Sequence, residues 1–351
     1  AGARMGAGAS RLGVPPSAGS MQPPSPSIHN PIPILIVVRV IAPPGYAPET
    51  PHPAIWVRMR WEASKGLSRP DTRLELGGTE ICGTSIGGLE TCIELPSWKL
   101  CFDIGRCPPT SVRYPRVLFT HAHCDHLGGV IHHCATRDLL GMSPPNYCLP
   151  AEAERDFLDL LTVWRRLDRS EFPCAVQGVR PGDRVDLEKN RFARVFRSVH
   201  RVPSVGYALH TVRHRLRADL QGASREELLA LRARGERLDE DWITNEVAFC
   251  GDTTIDVVDR EELVRKARVL ILEVTFLDDR VSVELARSKG HVHLDEVIER
   301  AEVFENEHLV FSHFSARYPR DEVRRILDRR LPAALRDRVV PFVPEVSVAR
   351  S

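Results

Sequence analysis

The sequence predicts an α/β fold, and three observations carry that expectation. Short β-type runs recur from about Leu74 onward: ETCIEL, KLCFDIG, RVLFTH, RFARVFRSV, EVAFCGDT, RVLILEVTF and HLVFSHF. Between them lie runs of helical spacing, EAERDFLDLLTVWRRL, SREELLALRAR and LDEVIERAEVFE. Such alternation is expected of helices packed on sheets. Third, His and Asp residues follow directly on several apolar runs, and ligands of open α/β sheets gather at such strand ends.

The 351 residues can form one large domain or two ordinary ones around a sizeable core. With 48 basic against 47 acidic residues the chain carries no global basic coat for nucleic acid, although a local basic groove stays open to it. Nine scattered Cys, without a C-x-x-C pair, read as reduced thiols of a cytosolic compartment rather than a disulfide framework. The longest apolar candidate, Ile34 to Ile41, is interrupted by Arg39 and falls well short of the roughly 20 residues that span a bilayer. No membrane partner is expected. The location implied is cytoplasmic, or nuclear or organellar in a eukaryote.

Residues 1–70 differ from the rest. Pro, Ala, Gly and Ser dominate, and no acidic residue precedes Glu49. Such a segment buries too little apolar area to offset chain entropy, so it is expected to be a disordered extension. Its acid-poor, Arg- and Ser-bearing composition also resembles a transit peptide. The reading adopted is an extension from an upstream start, and neither reading assigns it chemistry. Residues 71–351 are expected to form the functional domain.

The densest chemistry is Thr120-His121-Ala122-His123-Cys124-Asp125-His126, directly after the apolar Val117-Leu118-Phe119. Imidazoles and a carboxylate packed this closely are costly to bury without a cation. Imidazole with carboxylate suits Zn²⁺, and the set is too large for one tetrahedral ion. Cys124 reads as a bystander facing away. His132 and His133 read as surface or core residues.

HxHxDH after a strand resembles the signature of the metallo-β-lactamase superfamily. The later elements narrow this: His200 in SVHRVPSVGY, Asp252 in FCGDT, Glu273 in LEVTF, His291 in GHVHLDE and His313 in FSHFSARY follow the order of ribonuclease Z. From about residue 74 to 345 the chain is similar to the short form of that family, most of all its plant nuclear type. The matching stretches are SIGGLETCIELPS, FDIGRCP, EVAFCGDTT, TFLDDRVSVE and HFSARY.

The resemblance implies a four-layer αββα sandwich and two Zn²⁺ per subunit. His121, His123 and His200 would hold one ion, Asp125, His126 and His313 the other, with Asp252 bridging. Two ions about 3.5–4 Å apart can clamp the attacking and leaving oxygens of an in-line phosphoryl displacement. Asp125 would also take the proton of the attacking water. Glu273 paired with His291 would protonate the leaving oxygen, a carboxylate fixing the tautomer of the imidazole it binds. His293, two residues on, competes for that assignment, and His291 is chosen because it follows Gly290. The activity implied is zinc-dependent endoribonucleolytic removal of 3′ trailers from precursor tRNA, leaving a 3′-hydroxyl, by a homodimer.

Arg317 in SARY is the candidate for gripping the scissile phosphate, against a surface ion pair, because guanidinium matches two phosphate oxygens. Ser204 is a second phosphate candidate. From Arg191 to Arg217 there are seven Arg, three His and no acid, in a run that contains His200. Positive charge beside the metal motif would suit a polyanion, and Arg213, Arg215 and Arg217 are the RNA-contact candidates, against simple solvation.

Two departures from the family pattern stand out. Many bacterial members carry a Pro-x-Lys-x-Arg-Asn loop associated with sensing the RNA 3′ end, where this chain reads SIGGLETC. The family's tRNA-gripping arm lies between the third metal motif and the bridging Asp. Here residues 209–246 suggest a small insertion with a helix from Ser224 to Arg234, opened by a Ser224/Glu227 capping box. Rival readings are a small-molecule phosphodiesterase, lactonase or sulfatase on the same metal site, and a non-catalytic RNA-binding scaffold. The presence of all seven expected ligands argues against the scaffold.

Overall fold

The computed structural model describes residues 72–343. The segment read as disordered, residues 1–70, lies outside them.

Two sheets are stacked. The first runs β1 (Thr72–Leu76), β2 (Thr79–Gly87), β3 (Glu90–Leu95), β4 (Leu100–Phe102), β5 (Arg116–Leu118), β6 (Asn146–Pro150) and β7 (Ala175–Val179) in spatial order. Its first four strands pair antiparallel and the rest pair parallel. The second sheet uses β8 (Arg184–Asp186), β9 (Arg191–Arg197), β10 (Val205–Leu216), β11 (Asp239–Phe249), β12 (Val269–Glu273) and β13 (His308–Ser312). The two-residue β14 (Phe314–Ser315) crosses to β2 of the first sheet, and β15 (Val339–Pro341) closes the second beyond β13.

Alternation along the strands builds the layers. Ile93, Phe102 and Leu118 face inward and meet Val195, Tyr207, Phe249, Ile271 and Val310 of the second sheet. Their neighbours Cys92, Cys101, Val117 and Phe119 face outward, onto Val130 of α2 (Val130–Leu139) and Phe157 and Leu161 of α3 (Glu154–Asp168). The short α1 (Cys124–Leu127) joins that layer through Leu127. On the far side Ala248, Leu270, Leu272 and Phe311 pack against residues 255–267, 292–304 and 318–335. Each burial of a Leu, Val or Phe side chain contributes about 1.5–3 kcal/mol. The result is the four-layer αββα sandwich that the resemblance implies.

The run HLVFSHF is one strand only as far as Ser312, because His313 has φ +59° and turns the chain. LDEVIERAEVFE is helical only over Leu294–Glu299 before a 3-10 turn. The long β10 falls where no strand is read from sequence, since its outer half is polar on both faces. All nine Cys are free thiols, as their spacing suggests. Among the described residues no helix is long and apolar enough to cross a membrane.

Candidate metal centre

The parallel strands of both sheets end at one edge, and the polar residues beyond them converge there. His121 and His123 follow β5, with His123 in extended backbone as the residue before α1, whose first turn carries Asp125 and His126. Asp252 follows β11, Glu273 ends β12 and His313 follows β13. His200 comes from the loop between β9 and β10.

Three donor groups result. His121, His123, His200 and Asp252 offer ligand atoms all within 4.8 Å of one another, as do Asp125, His126 and His313, and also Asp252, His291 and His313. Asp252 belongs to two groups, with Oδ2 3.7 Å from His121 Nε2 and Oδ1 3.3 Å from Nε2 of both His126 and His313. That Oδ1 is buried and makes no hydrogen bond among the described residues. A buried carboxylate oxygen without a donor, ringed by imidazole nitrogens, is expensive in an empty protein and favourable around a cation. The donor set therefore fits divalent metal.

Partners behind the imidazoles fix which nitrogen faces the centre. His126 Nδ1 donates to Asp103 Oδ2 at 2.8 Å, and Asp103 also accepts from the Thr120 amide and hydroxyl. His200 Nδ1 donates to the Gly290 carbonyl at 2.8 Å. Gly290 has φ +79°, and a Cβ there would sit 2.6 Å from that nitrogen, so only glycine allows the approach. His313 Nδ1 lies 3.0 Å from the Thr275 hydroxyl, which donates to Glu273 Oε2 at 2.6 Å. In each case Nε2 is left as ligand, the orientation that outer carboxylates and carbonyls impose at metal sites. Burial pushes the His121, His123 and His200 pKa values down, which keeps the neutral ligand form.

Asp103 and His313 both have left-handed backbone, φ +53° and +59°. Such conformations cost about 1–3 kcal/mol each and persist where the surroundings over-determine them. Here the hydrogen bonds of Asp103, and the Ser85 hydroxyl accepting from the His313 amide, hold them.

His291, of the third group, has a carboxylate partner of its own. Its Nδ1 donates to Glu273 Oε1 at 2.8 Å. Burial works against its charge, but the Glu273 carboxylate outweighs it and raises the pKa to about 9. Glu273 is itself buried and tied by the amides of Thr253 and Thr275. His293 is buried elsewhere as the cap of the Leu294–Glu299 helix, its Nδ1 accepting from the Asp295 amide. His133 is buried against the Tyr147 hydroxyl, His132 is exposed, and Cys124 is exposed outside every donor group.

The phosphate and RNA candidates divide. Arg317 is exposed four residues beyond His313, with no ion-pair partner among the described residues. Ser204 is half-buried and its hydroxyl donates to the Val202 carbonyl. Arg213, Arg215 and Arg217 are not brought to the centre. β10 carries them away from His200, by roughly 3.3 Å per residue, and each meets a carboxylate: Glu246, Glu240 and Asp219.

Sequence reasoning assigned no role to Asp103, Thr120, Thr275 or Gly290. Asp103 had a readable signal, since it follows the apolar Leu100–Phe102 as His121 follows Val117–Phe119. Thr275 and Gly290 act through residues distant in sequence and carry no such mark.

Known proteins resemble the chain in sequence and in fold. Residues 106–314 match the family described as "Beta-lactamase superfamily domain". The chain is 40% identical over 268 residues to tRNase Z TRZ1 of Arabidopsis thaliana, covering 76% of this chain and 95% of that protein. It is 32% identical over 271 residues to tRNase Z TRZ2, chloroplastic, of the same plant, covering 77% and 76%. It is 35% identical over 170 residues to a wheat (Triticum aestivum) nuclear ribonuclease Z, covering 48% of this chain and 96% of that one. Among solved structures, the metallo-β-lactamase fold protein YhfI of Bacillus subtilis superposes with a TM-score of 0.52 at 12% identity, covering 78% and 95%, a likeness of fold. Identity sustained over nearly the whole of a tRNase Z, on a sandwich whose strand ends gather these donors, makes the chain a member of the tRNase Z family within the metallo-β-lactamase superfamily.

Proposed function

We propose that this chain is a metal-dependent endoribonuclease that removes 3′ trailers from precursor tRNA by phosphodiester hydrolysis, leaving a 3′-hydroxyl. The observation that supports the reading is that His291, beside Asp252 and His313 in the donor cluster, is also held by the buried carboxylate of Glu273. A metal cluster alone would serve many hydrolases. A buried carboxylate holding a protonated imidazole at its rim suits a reaction that must expel a poor leaving group.

The residues divide the work. His121, His123 and His200 would hold one Zn²⁺, Asp125, His126 and His313 a second, and Asp252 would touch both. Bound there, the ions would supply an activated water and neutralise charge on the phosphate. Asp125, part-exposed at the mouth, accepts the proton of the attacking water. His291, held by Glu273 through Nδ1, delivers its Nε2 proton to the departing 3′ oxygen. Arg317, exposed four residues beyond His313 and without an ion-pair partner among the described residues, would grip a phosphate oxygen, with Ser204 a weaker contact.

Arg213, Arg215 and Arg217 would reach RNA only away from the scissile bond. They stand at the base of an arm, residues 211–243, tipped by α4 (Arg225–Ala233) with the Ser224/Glu227 capping box. The active unit proposed is a homodimer built on residues 71–351. A relative named as nuclear supports a nuclear site of action, with organellar and cytoplasmic ones as alternatives.

The test is incubation of the purified chain with a 3′-extended precursor tRNA, with and without Zn²⁺, beside a chromogenic phosphodiester and a lactone. Metal-dependent cutting after the discriminator base is expected. Asp125→Ala should lose cutting and keep much of its RNA binding. Turnover of small esters with no tRNA cleavage at low salt would overturn the reading.

A further inference from the structure

Two segments meet beside the metal centre, joined by the hydrogen bond from His200 Nδ1 to the Gly290 carbonyl. The rings of His200 and His291 stand 5.3 Å apart between centroids. Neither segment holds an acid near the junction: residues 191–217 have none, and residues 285–294 read LARSKGHVHL. Arg287 is paired with Glu296. Arg201 and Lys289, each next in the chain to one partner of the joining bond, have no carboxylate partner among the described residues. Arg201 is exposed, and its Cγ lies 3.3 Å from where a Cβ on Gly290 would stand. Lys289 is half-buried, with Nζ 5.8 Å from the centre of the Phe276 ring, which meets the His291 ring edge-on at 6.1 Å. Arg213, Arg215 and Arg217, by contrast, are each answered by a carboxylate. Two cations without acidic partners on either side of His291 suit an anion placed there.

The chemistry of the cut says which anion. The oxygen of water bonds to phosphorus, the bond from phosphorus to the 3′ oxygen breaks, and its electron pair goes to that oxygen. The 3′ oxygen takes the proton of His291 Nε2 and stays on the tRNA, while the phosphate departs on the trailer. His291 therefore meets the last nucleotide of the product. We propose that Arg201 and Lys289 hold the backbone phosphate one nucleotide 5′ of the scissile bond. The inference rests on the function proposed above and names a contact on the product side of the cut. Guanidinium can take two oxygens of that phosphate and ammonium adds a point charge. Held there, the phosphate fixes the departing oxygen against His291, so the contact acts on kcat as well as on KM. It also selects a nucleic acid, since a small phosphodiester has no second phosphate to offer.

The test uses precursor tRNA carrying one uncharged methylphosphonate, either one nucleotide 5′ or one nucleotide 3′ of the cut. Each is compared with a charged control bearing the same 2′-O-methyl group. For the wild type, the neutral 5′ linkage should lower kcat/KM by roughly 10–100-fold. Arg201→Ala/Lys289→Ala should cause a comparable fall on the charged control and no further fall on the neutral 5′ linkage, because the same contact is already gone. With the neutral 3′ linkage the two losses should multiply. Arg201→Lys should keep most of the activity, and bound zinc and circular dichroism should match the wild type in all variants. A wild-type chain that leaves the unmodified precursor whole overturns the proposed function and this contact with it. A chain that cuts it, but whose losses multiply with the neutral 5′ linkage or accompany a fall in bound zinc, overturns the contact alone.

Discussion

The same two strands, β10 and β11, carry opposite chemistry at their two ends. Toward the metal centre, Val205–Leu209 and Val247–Phe249 are buried and apolar, and the chain emerges at Asp252 with a carboxylate oxygen that has no hydrogen-bond partner. Past the irregularity between Leu209 and His210 the strands run outward, to the exposed residues 213–216 and 241–243. There every arginine is answered locally: Arg215 bonds Glu240 and stacks on Trp242, 3.8 Å from the ring, and Arg217 bonds Asp219. Unbalanced charge is thus confined to the buried end, where low dielectric makes it strong and a cation is required. At the arm, salt and water screen what the carboxylates have not already balanced. Position, more than the count of charged residues, decides which end does chemistry.

The largest effect should come from breaking the buried end. Chelation or Asp252→Ala is expected to take precursor-tRNA cleavage to background. Added Zn²⁺ should restore the chelated wild type but not the variant. Cleavage gels with metal analysis by mass spectrometry decide it.

His291→Ala should lower kcat by roughly 10²–10⁴-fold, the usual worth of a positioned proton donor, while bound metal is unchanged. An equal fall in bound metal would make His291 a ligand, as its place beside Asp252 and His313 allows.

Asp103→Asn leaves every expected ligand in place but removes the charge behind His126. Metal affinity or activity should fall by about 10–100-fold, measured by competition with a chromophoric chelator.

Arg213→Ala/Arg215→Ala should act least. Its kcat on precursor tRNA should stay near wild type, and the salt dependence of binding should flatten by about one unit of slope for each phosphate no longer neutralised. A fall in kcat would mean that the arm end reaches the chemistry after all, and the comparison between the two ends would fail.

What was legible in the sequence follows from how local each constraint is. His121, His123, Asp125 and His126 sit within one strand-to-helix turn, so their spacing announces the site before any folding. His200, Asp252, Glu273, His291 and His313 are single residues, readable because each stands in its own motif in a fixed order. The capping box at Ser224 is equally local, and the helix begins where it says. The arginine run is different, because a linear stretch says nothing of direction. His200 precedes β10 in a loop, and the extended strand then carries Arg213 away from it.

The sequence by itself determined the alternating elements, the donor types and the family, since periodicity and short motifs are properties of neighbouring residues. Tertiary structure alone decided which nitrogen of each imidazole faces the centre. Asp103 reaches His126 across 23 positions, Gly290 reaches His200 across 90, and Thr275 reaches His313 across 38. It also decided that Asp252 should stand where two donor groups meet. Hydrogen bonds and burial between distant segments exist only once the sheets have stacked, because only then is water gone from between them.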